Sequence, residues 1–332
     1  MKTRMPDVRG VAGLLLLTTA ADFLIRPFAQ SANLTVQQGI AAAALNTAVI
    51  CLLLWPLCRW KLHTLKGRPF LAAALFVLFA LAGGEAMVRT ESFLRYVSDE
   101  PLPHLTVYLL ALAVTFYAVR SGPEAVARAC GVLLWALGGS LILLIVANLH
   151  GMRLENLQLA AFSWGQLAKN AASGLVLPAQ IPLFFFLTQK ESGQKAKNFT
   201  VTLWLLYGLY VVLALCAELV LGGQAQAQSQ LPHTLARLGS ISVFKRLDTL
   251  HLAIWLPAEL LKICAFAIGL RGVVETVWPQ LLRAHASAWA LAAVAAGTVV
   301  VGMMQHEQFL WLQTAAGAAI LLAMGWKHEK TA

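Results

Sequence analysis

Charged residues are scarce in this 332-residue sequence: they make up 12% of the chain, and only 15 residues are Asp or Glu. Soluble domains carry about 25% charged and about 45–50% apolar residues. Here 59% of the residues are hydrophobic and the mean hydropathy is +0.71. This composition excludes a soluble enzyme, a disordered chain and a nucleic-acid-binding protein as first interpretations. It predicts an all-α polytopic membrane protein.

The sequence also has few cysteines and lacks common catalytic motifs. The five cysteines fall in or beside apolar runs without a Cys-x-x-Cys pair, so they are expected to pack as small apolar residues. Patterns typical of nucleotide binding, serine hydrolases and zinc proteases do not occur. The histidines lack the spacing of metal ligands. We therefore expect no enzyme activity, no metal and no cofactor.

Ten apolar segments are long enough to cross the roughly 30 Å hydrocarbon core of a bilayer as helices. They cover residues 11–28, 39–57, 69–88, 105–119, 130–148, 170–188, 199–221, 249–270, 285–304 and 308–326. The first segment has no clear cleavage site and contains Asp22 and Arg26, so it is interpreted as a retained helix and not as a signal peptide. Because the connections contain no soluble domain, residues 1–332 are expected to form one membrane domain.

Basic residues are distributed unevenly between the two sides of these spans. About two thirds of the 25 Lys and Arg residues fall on the side that carries both termini, most densely in the linkers 59–68 and 189–198. Cytoplasmic loops are enriched in Lys and Arg, so both termini are predicted to be cytoplasmic. The same rule explains the net charge of +10 without a nucleic-acid partner.

Several acidic residues lie in predicted spans, where ionisable groups are costly and often functional. Glu218 and Asp248 are close to predicted outer ends and are expected to be solvated. Glu85 is four residues before Arg89, a spacing that suits a helical ion pair. Asp22 is interpreted either as the partner of an arginine four residues later, at position 26, or as a functional carboxylate.

The eighth span carries two ionisable residues on one face. Glu259 is predicted to lie about 15 Å deep, and Lys262 follows it by three residues. They are interpreted as an intramembrane charge pair. Such a pair is either a buried structural feature or an element that gates a polar cavity.

The sixth segment is interrupted by residues that break helices. These are Ser173, Gly174, Pro178 and Pro182. Proline removes a backbone donor and clashes with the preceding turn, and such backbone is tolerated in a membrane where it is buried in protein or lines a watery cavity. Because the first and sixth segments each begin a five-helix half, irregularity in both is typical of a transporter-type site.

Three stretches form a recognisable set. In FKRLDTLHLAIWLPAELLKI (244–263) an Arg-Leu-acidic triplet precedes an aliphatic run with a tryptophan; the matching residues are Arg246, Leu247, Asp248 and Trp255. In YAVRSGPEAVARACGVLLW (117–135) the matching residues are Tyr117, Gly122, Glu124 and Arg128. The third stretch is the interrupted segment with the basic linker after it, 173–197. Together they resemble the spore germination B-subunit (GerAB-type) family of the amino acid–polyamine–organocation (APC) transporter superfamily.

The resemblance implies a LeuT-like 5+5 inverted repeat, with a first repeat at about 10–149, a second at about 165–328, and broken first and sixth helices. It also implies a nutrient-germinant sensing subunit in the spore inner membrane or cell membrane. An A-type membrane subunit and a C-type lipoprotein would be its partners. The family's first helix usually carries a Gly-x-Gly stretch before its proline, but those positions here are Ala20 and Asp22.

A ligand site is therefore predicted between the first and sixth helices, with a wall from the eighth. Its residues are expected to be Thr18, Thr19, Asp22, Asn170, Ser173, Gly174 and Trp255. Hydroxyls and freed backbone groups beside a broken helix can hold a carboxylate, and Asp22 supplies the complementary charge for an ammonium group. The predicted ligand is an amino-acid-like small molecule.

Two other functions are compatible with the same features. One is a stand-alone secondary transporter of amino acids or related solutes, and the other is a scaffold subunit that has lost its ligand. The sequence contains no appended sensory or catalytic domain that would separate these alternatives from a ligand-sensing subunit.

Overall fold

The structure, a computed structural model, consists of helices and their connections in the residues that it describes. It describes residues 7–25, 36–59, 65, 67–98, 103–157, 163–173, 175–188, 194–228, 230–240, 247–277, 285–304 and 306–325. The α-helices are α1 (Val8–Ile25), α2 (Val36–Arg59), α3 (Pro69–Val97), α4 (His104–Ser121), α5 (Pro123–Asn148), α6 (Trp164–Ser173), α7 (Gln180–Leu187), α8 (Lys195–Leu221), α9 (Leu231–Leu238), α10 (Asp248–Val277), α11 (Ala286–Gly302) and α12 (His306–Gly325). Short 3-10 helices at Leu149–Gly151, Leu154–Asn156 and Gly222–Ala227 lie in connections.

The helices confirm a polytopic membrane protein. Seven of those described are long and apolar enough to cross a membrane: α2, α3, α4, α5, α8, α10 and α12. α11 is apolar but shorter, and the predicted sixth span is divided between α6 and α7. The count of ten spans and the inverted repeat therefore stay predictions.

α3 and α10 form the centre of the helix assembly. Both are buried over most of their length, and they pack against each other and against α11. α1 packs against α5, α8 and α10, while α2 packs against α8 and α6. Fewer than a quarter of the residues in the apolar spans of α2, α4 and α5 are buried, as expected of helices that face lipid.

The closest helix contact lies between α3 and α11. A Cβ atom added to Gly84 would lie 2.3 Å from the carbonyl carbon of Gly297, and one added to Gly297 would lie 2.1 Å from the carbonyl oxygen of Ala80. Small residues let helix backbones approach in this way, and close packing is a main source of helix association in membranes. The two glycines therefore hold the α3–α11 interface together.

The predicted topology can be tested directly. If both termini are cytoplasmic, alkaline phosphatase fused after Ala332 should be inactive, and green fluorescent protein at the same position should fluoresce. The physical reason is the concentration of Lys and Arg on that side of the spans. The same two reporters fused within the predicted outer connection at 222–230 serve as the control and should give the reverse pattern. An active phosphatase after Ala332 would contradict the predicted orientation.

Candidate functional site

The interruption of the sixth segment is present in the structure. α6 ends at Ser173, residues 175–178 are not helical, and α7 begins at Gln180. Pro182 is tolerated in the first turn of α7, where N–H groups have no intrahelical acceptor. The backbone N–H of Leu177 instead donates to Thr314 Oγ1 of α12 at 3.2 Å. Gly174 and the Ser173 side chain lie outside the described residues.

Asp22 on α1 lies where the chain resumes as a helix after this break. Its carboxylate is buried, with the residue 4% exposed. Gln180 Nε2, in the first turn of α7, donates to Asp22 Oδ2 at 2.7 Å. Arg89 Nη1 of α3 donates to Asp22 Oδ1 at 2.6 Å, and Lys262 Nζ of α10 contacts the same oxygen. One carboxylate thus connects four helices.

Two further carboxylates complete what we call the charge cluster: Asp22, Glu85, Arg89, Glu259 and Lys262. Arg89 forms an ion pair with Glu85 one turn earlier on α3, which confirms the pairing that the spacing predicts. Lys262 Nζ lies 3.8 Å from Glu85 Oε2 and 3.9 Å from Glu259 Oε2. The cluster therefore joins three carboxylates to two cations across α1, α3 and α10.

Burial determines how this cluster behaves. Lys262 is 1% exposed and Glu259 is 0% exposed. Taking ions out of water is costly, and their mutual attraction offsets this only where the geometry and additional hydrogen bonds are good. Removing one member therefore leaves the others uncompensated. The cluster is a poor source of net stability but a strict constraint on how the helices fit together.

Asp22 has partners that its local sequence does not indicate. Arg26 lies outside the described residues, whereas Arg89 and Lys262 come from helices that are distant in sequence. The prediction that Glu218 and Asp248 are solvated is wrong, since both are buried. α9 and the 3-10 helix Gly222–Ala227 pack against the ends of α8 and α10, which explains this burial.

The first helix is not broken where the family resemblance implies. α1 is continuous from Val8 to Ile25, and Thr18 Oγ1 donates to the carbonyl of Leu14 within the same helix at 2.7 Å. Alanine is the best helix former and stands at position 20, where the family has glycine. The backbone N–H groups of α1 near Asp22 are therefore used within the helix and are not freed for a ligand.

The predicted site residues are only partly brought together. Thr18, Thr19 and Asp22 are buried on α1, which packs against α7. Asn170 is on α6, which packs against α2 through the apolar contacts of Ala42, Leu167 and Ala171. Trp255 packs against Phe93 of α3 in a tilted arrangement, with ring centroids 4.1 Å apart. It precedes Lys262 by two turns, about 10 Å along α10.

Gln180 is the contact residue that sequence reasoning missed. It is the polar first residue of the otherwise apolar helix QIPLFFFL, immediately after the break. A polar residue at this place in an apolar run could have marked Gln180 as a contact residue from the sequence. A small cavity between α1 and α7 adjoins it, lined by Thr18, Leu14 and Phe184 among others. The cavity has room for about one water molecule, so the α1–α7 junction is closed in this conformation.

Comparison with known families gives one finding. A family described as spore germination protein (Spore_permease) matches residues 70–310, well over half of the chain. A search of curated proteins gives no match. The matched range includes α3, α7 and α10, and with them Glu85, Gln180 and Lys262, but it begins after α1 and therefore leaves out Asp22.

Proposed function

The chain belongs to the spore germination protein family, and from this premise we propose that it is the nutrient-sensing membrane subunit of a germinant receptor. Its ligand is an amino-acid-like small molecule that binds at the α1–α7 junction. The subunit binds this molecule without transforming it. An A-type membrane subunit and a C-type lipoprotein are the proposed partners, and the spore inner membrane is the proposed location.

The observation that carries this proposal is the hydrogen bond from Gln180 to Asp22. It connects α7, where the chain becomes helical again after the break in the predicted sixth span, to the buried charge cluster. Irregular backbone at membrane depth is characteristic of transporter-type binding sites. A ligand that enters here competes directly for the carboxylate of Asp22.

Ligand charge sets the proposed binding mode. An ammonium group replaces the amide of Gln180 at Asp22 Oδ2, because its full positive charge is attracted to the carboxylate more strongly than the dipole of an amide is. The ligand carboxylate accepts the backbone N–H of Val176, because the N–H groups of Leu175 and Leu177 already donate elsewhere and Pro178 has none. Since the junction is closed, α7 must move for the ligand to enter. That movement, relayed through Asp22 to α3 and α10, is the proposed signal to the partner subunits.

The remaining elements of the proposal concern architecture. We propose a LeuT-like arrangement with two five-helix repeats, in which α3 and α10 are the third and eighth spans, and with both termini in the cytoplasm.

A second candidate function is a stand-alone amino acid transporter. Buried ionisable residues beside a broken helix favour it, since such groups also mark transport pathways.

Binding selectivity tests the site. Asp22→Asn should weaken binding of amino acids by about 10- to 100-fold, as expected from the loss of a hydrogen bond to a charged group. Deaminated analogues should bind wild type and variant alike. Isothermal titration calorimetry on the purified protein gives both values. Glu91→Gln is the matched control, because Glu91 is an equally buried carboxylate of α3 that pairs with Arg95 outside the cluster.

The result also separates the alternatives. Equal loss of both ligand classes in Asp22→Asn would remove the ammonium contact from the proposal. Binding without uptake in liposomes that contain the purified protein alone is expected of a sensor, whereas robust uptake would establish the transporter. Absence of binding in the presence of both partner subunits would leave the scaffold function.

A further inference from the structure

A second cavity lies between α5 and α10, separate from the α1–α7 junction. Ser140 lines it from α5, His251 and Trp255 line it from α10, and Ala236 lines it from α9. Its volume is about 20 Å³, which holds one or two water-sized groups. Leu250, which also lines it, is 41% exposed, so the cavity reaches the surface of the helix assembly.

Two polar side chains of this lining are buried without a hydrogen bond. His251 is 9% exposed and Trp255 is 1% exposed, and neither His251 Nε2 nor Trp255 Nε1 has a partner within the part of the chain that the structure describes. Buried polar atoms nearly always have a partner, because an unpaired one loses its hydrogen bonds to water. The two residues are four apart on one helix and share a face of it. One ligand in the cavity can therefore satisfy both nitrogens.

The donors and acceptors of the lining define the ligand group. The indole N–H of Trp255 can only donate, whereas His251 Nε2 accepts or donates according to the tautomer. Ser140 Oγ already donates to the carbonyl of Leu137 at 2.8 Å. The other lining residues that the structure describes are aliphatic, and a charged group would be costly among them. The matching group is therefore neutral and both accepts and donates, which describes a hydroxyl.

The α10 side of the cavity is held in place by aromatic packing. The Trp255 ring packs against Phe93, and the His251 ring centroid lies 6.2 Å from that of His233 on α9. His233 is in turn edge-on to Phe93, with ring centroids 5.7 Å apart. These contacts position both rings before a ligand arrives. Small-molecule sites are usually preformed in this way, with an apolar lining and a few polar groups.

We propose that this cavity binds a small aliphatic alcohol. The hydroxyl oxygen accepts the indole N–H of Trp255, and the hydroxyl hydrogen is donated to His251 Nε2 in the tautomer that carries its own hydrogen on Nδ1. The short alkyl chain packs against the leucines of α5 and extends towards Leu250. Water offers the same hydroxyl chemistry without the chain, so the experiment has to distinguish the two. The alcohol contacts α10, the helix that also carries Lys262 of the charge cluster.

Indole NMR signals of the purified full-length protein in detergent test the proposal. With ¹⁵N-labelled tryptophan, the signal that disappears in Trp255→Phe belongs to Trp255. Titration with 1-propanol should shift this signal until it saturates, with a midpoint of about 1–10 mM for so small a ligand. 1-Chloropropane has a similar size but no hydroxyl, so it should not produce the shift. His251→Phe removes the acceptor and should raise the midpoint by about tenfold.

Two variants of α5 separate binding in the cavity from a solvent effect. Ser140→Leu fills the cavity and should abolish the saturable shift. Gly139→Leu is the matched control and should respond like wild type, because Gly139 is exposed, does not line the cavity, and an added Cβ there meets no neighbouring atom within 4 Å. An equal shift with 1-chloropropane, or a full response in Ser140→Leu, would overturn the proposal. A Trp255 signal that exchanges with water but moves with no alcohol would also overturn it, since the cavity would then hold water alone.

Discussion

Lys262→Ala should destabilise the protein more than any other single substitution in the charge cluster, by about 3–5 kcal/mol. The ammonium group of Lys262 contacts carboxylates of Asp22, Glu85 and Glu259, and the side chain is 1% exposed. Without it, Asp22 and Glu85 keep their contacts with Arg89 but lose an ammonium partner, and Glu259 loses its ion pair with Lys262. Thermal unfolding of the purified protein, together with its yield in the membrane, measures the effect.

Compensating changes identify the partner that matters most. Adding Asp22→Asn to Lys262→Ala should recover part of the lost stability, because it removes the carboxylate nearest to the missing ammonium group. The spacing of Glu259 and Lys262 alone would predict that Lys262→Ala rescues Glu259→Ala. The contact with Asp22 reverses this expectation, since Lys262 keeps a partner when Glu259 is removed. Lys169→Ala, at an exposed position of α6, is the control. If Lys262→Ala unfolded at the same temperature as wild type, this result would contradict the buried contacts between Lys262 and the carboxylates.

Gly297→Ala should have the second large effect, a destabilisation of about 3 kcal/mol or more. A single added methyl group would overlap the carbonyl oxygen of Ala80, and backbone cannot move aside as a flexible side chain can. Overpacking of a well-filled core typically costs about 1–3 kcal/mol, and more where nothing can relax. The separation of α3 from α11 should also disturb Glu85 and Arg89, which lie on the same helix as Gly84.

Gly139→Ala is the matched control, since the same change is made inside α5 where no atom lies within 4 Å of the new methyl group. Alanine favours helix over glycine by about 1 kcal/mol, so this variant should be as stable as wild type or more stable. Comparing the unfolding midpoints of the two variants separates the destabilisation caused by close packing from the stabilisation caused by the higher helix propensity of alanine. If both variants gained stability, the tight α3–α11 approach would be refuted.

Hydropathy and the prolines were enough to place the long apolar helices and the break. Each predicted apolar segment contains a helix, Pro178 lies in the interruption between α6 and α7, and Pro182 lies in the first turn of α7. Both features depend on local chemistry, because helix length follows from hydrophobic runs and helix breaking from the proline ring. The ion pair between Glu85 and Arg89 was predictable for the same reason.

The arrangement of the candidate site was not predictable, because it depends on contacts between distant parts of the chain. Lys262 and Asp22 are 240 positions apart, and Gln180 and Asp22 are 158 apart. Nothing in a single sequence pairs such residues. The burial of Glu218 was missed for a related reason: α9, formed by a connection between spans, packs against α8.

The short lengths of α6 and α7 have a consequence for biogenesis. They contain ten and eight residues, whereas a helix needs about 20 to span the bilayer, so neither half can be released into lipid by the insertion machinery as a finished unit. Thr314, which accepts the N–H of Leu177, is 137 positions later. At about 5–20 residues per second this partner emerges roughly 7–27 s afterwards. The region around the break therefore reaches its final structure only after Thr314 has been synthesised.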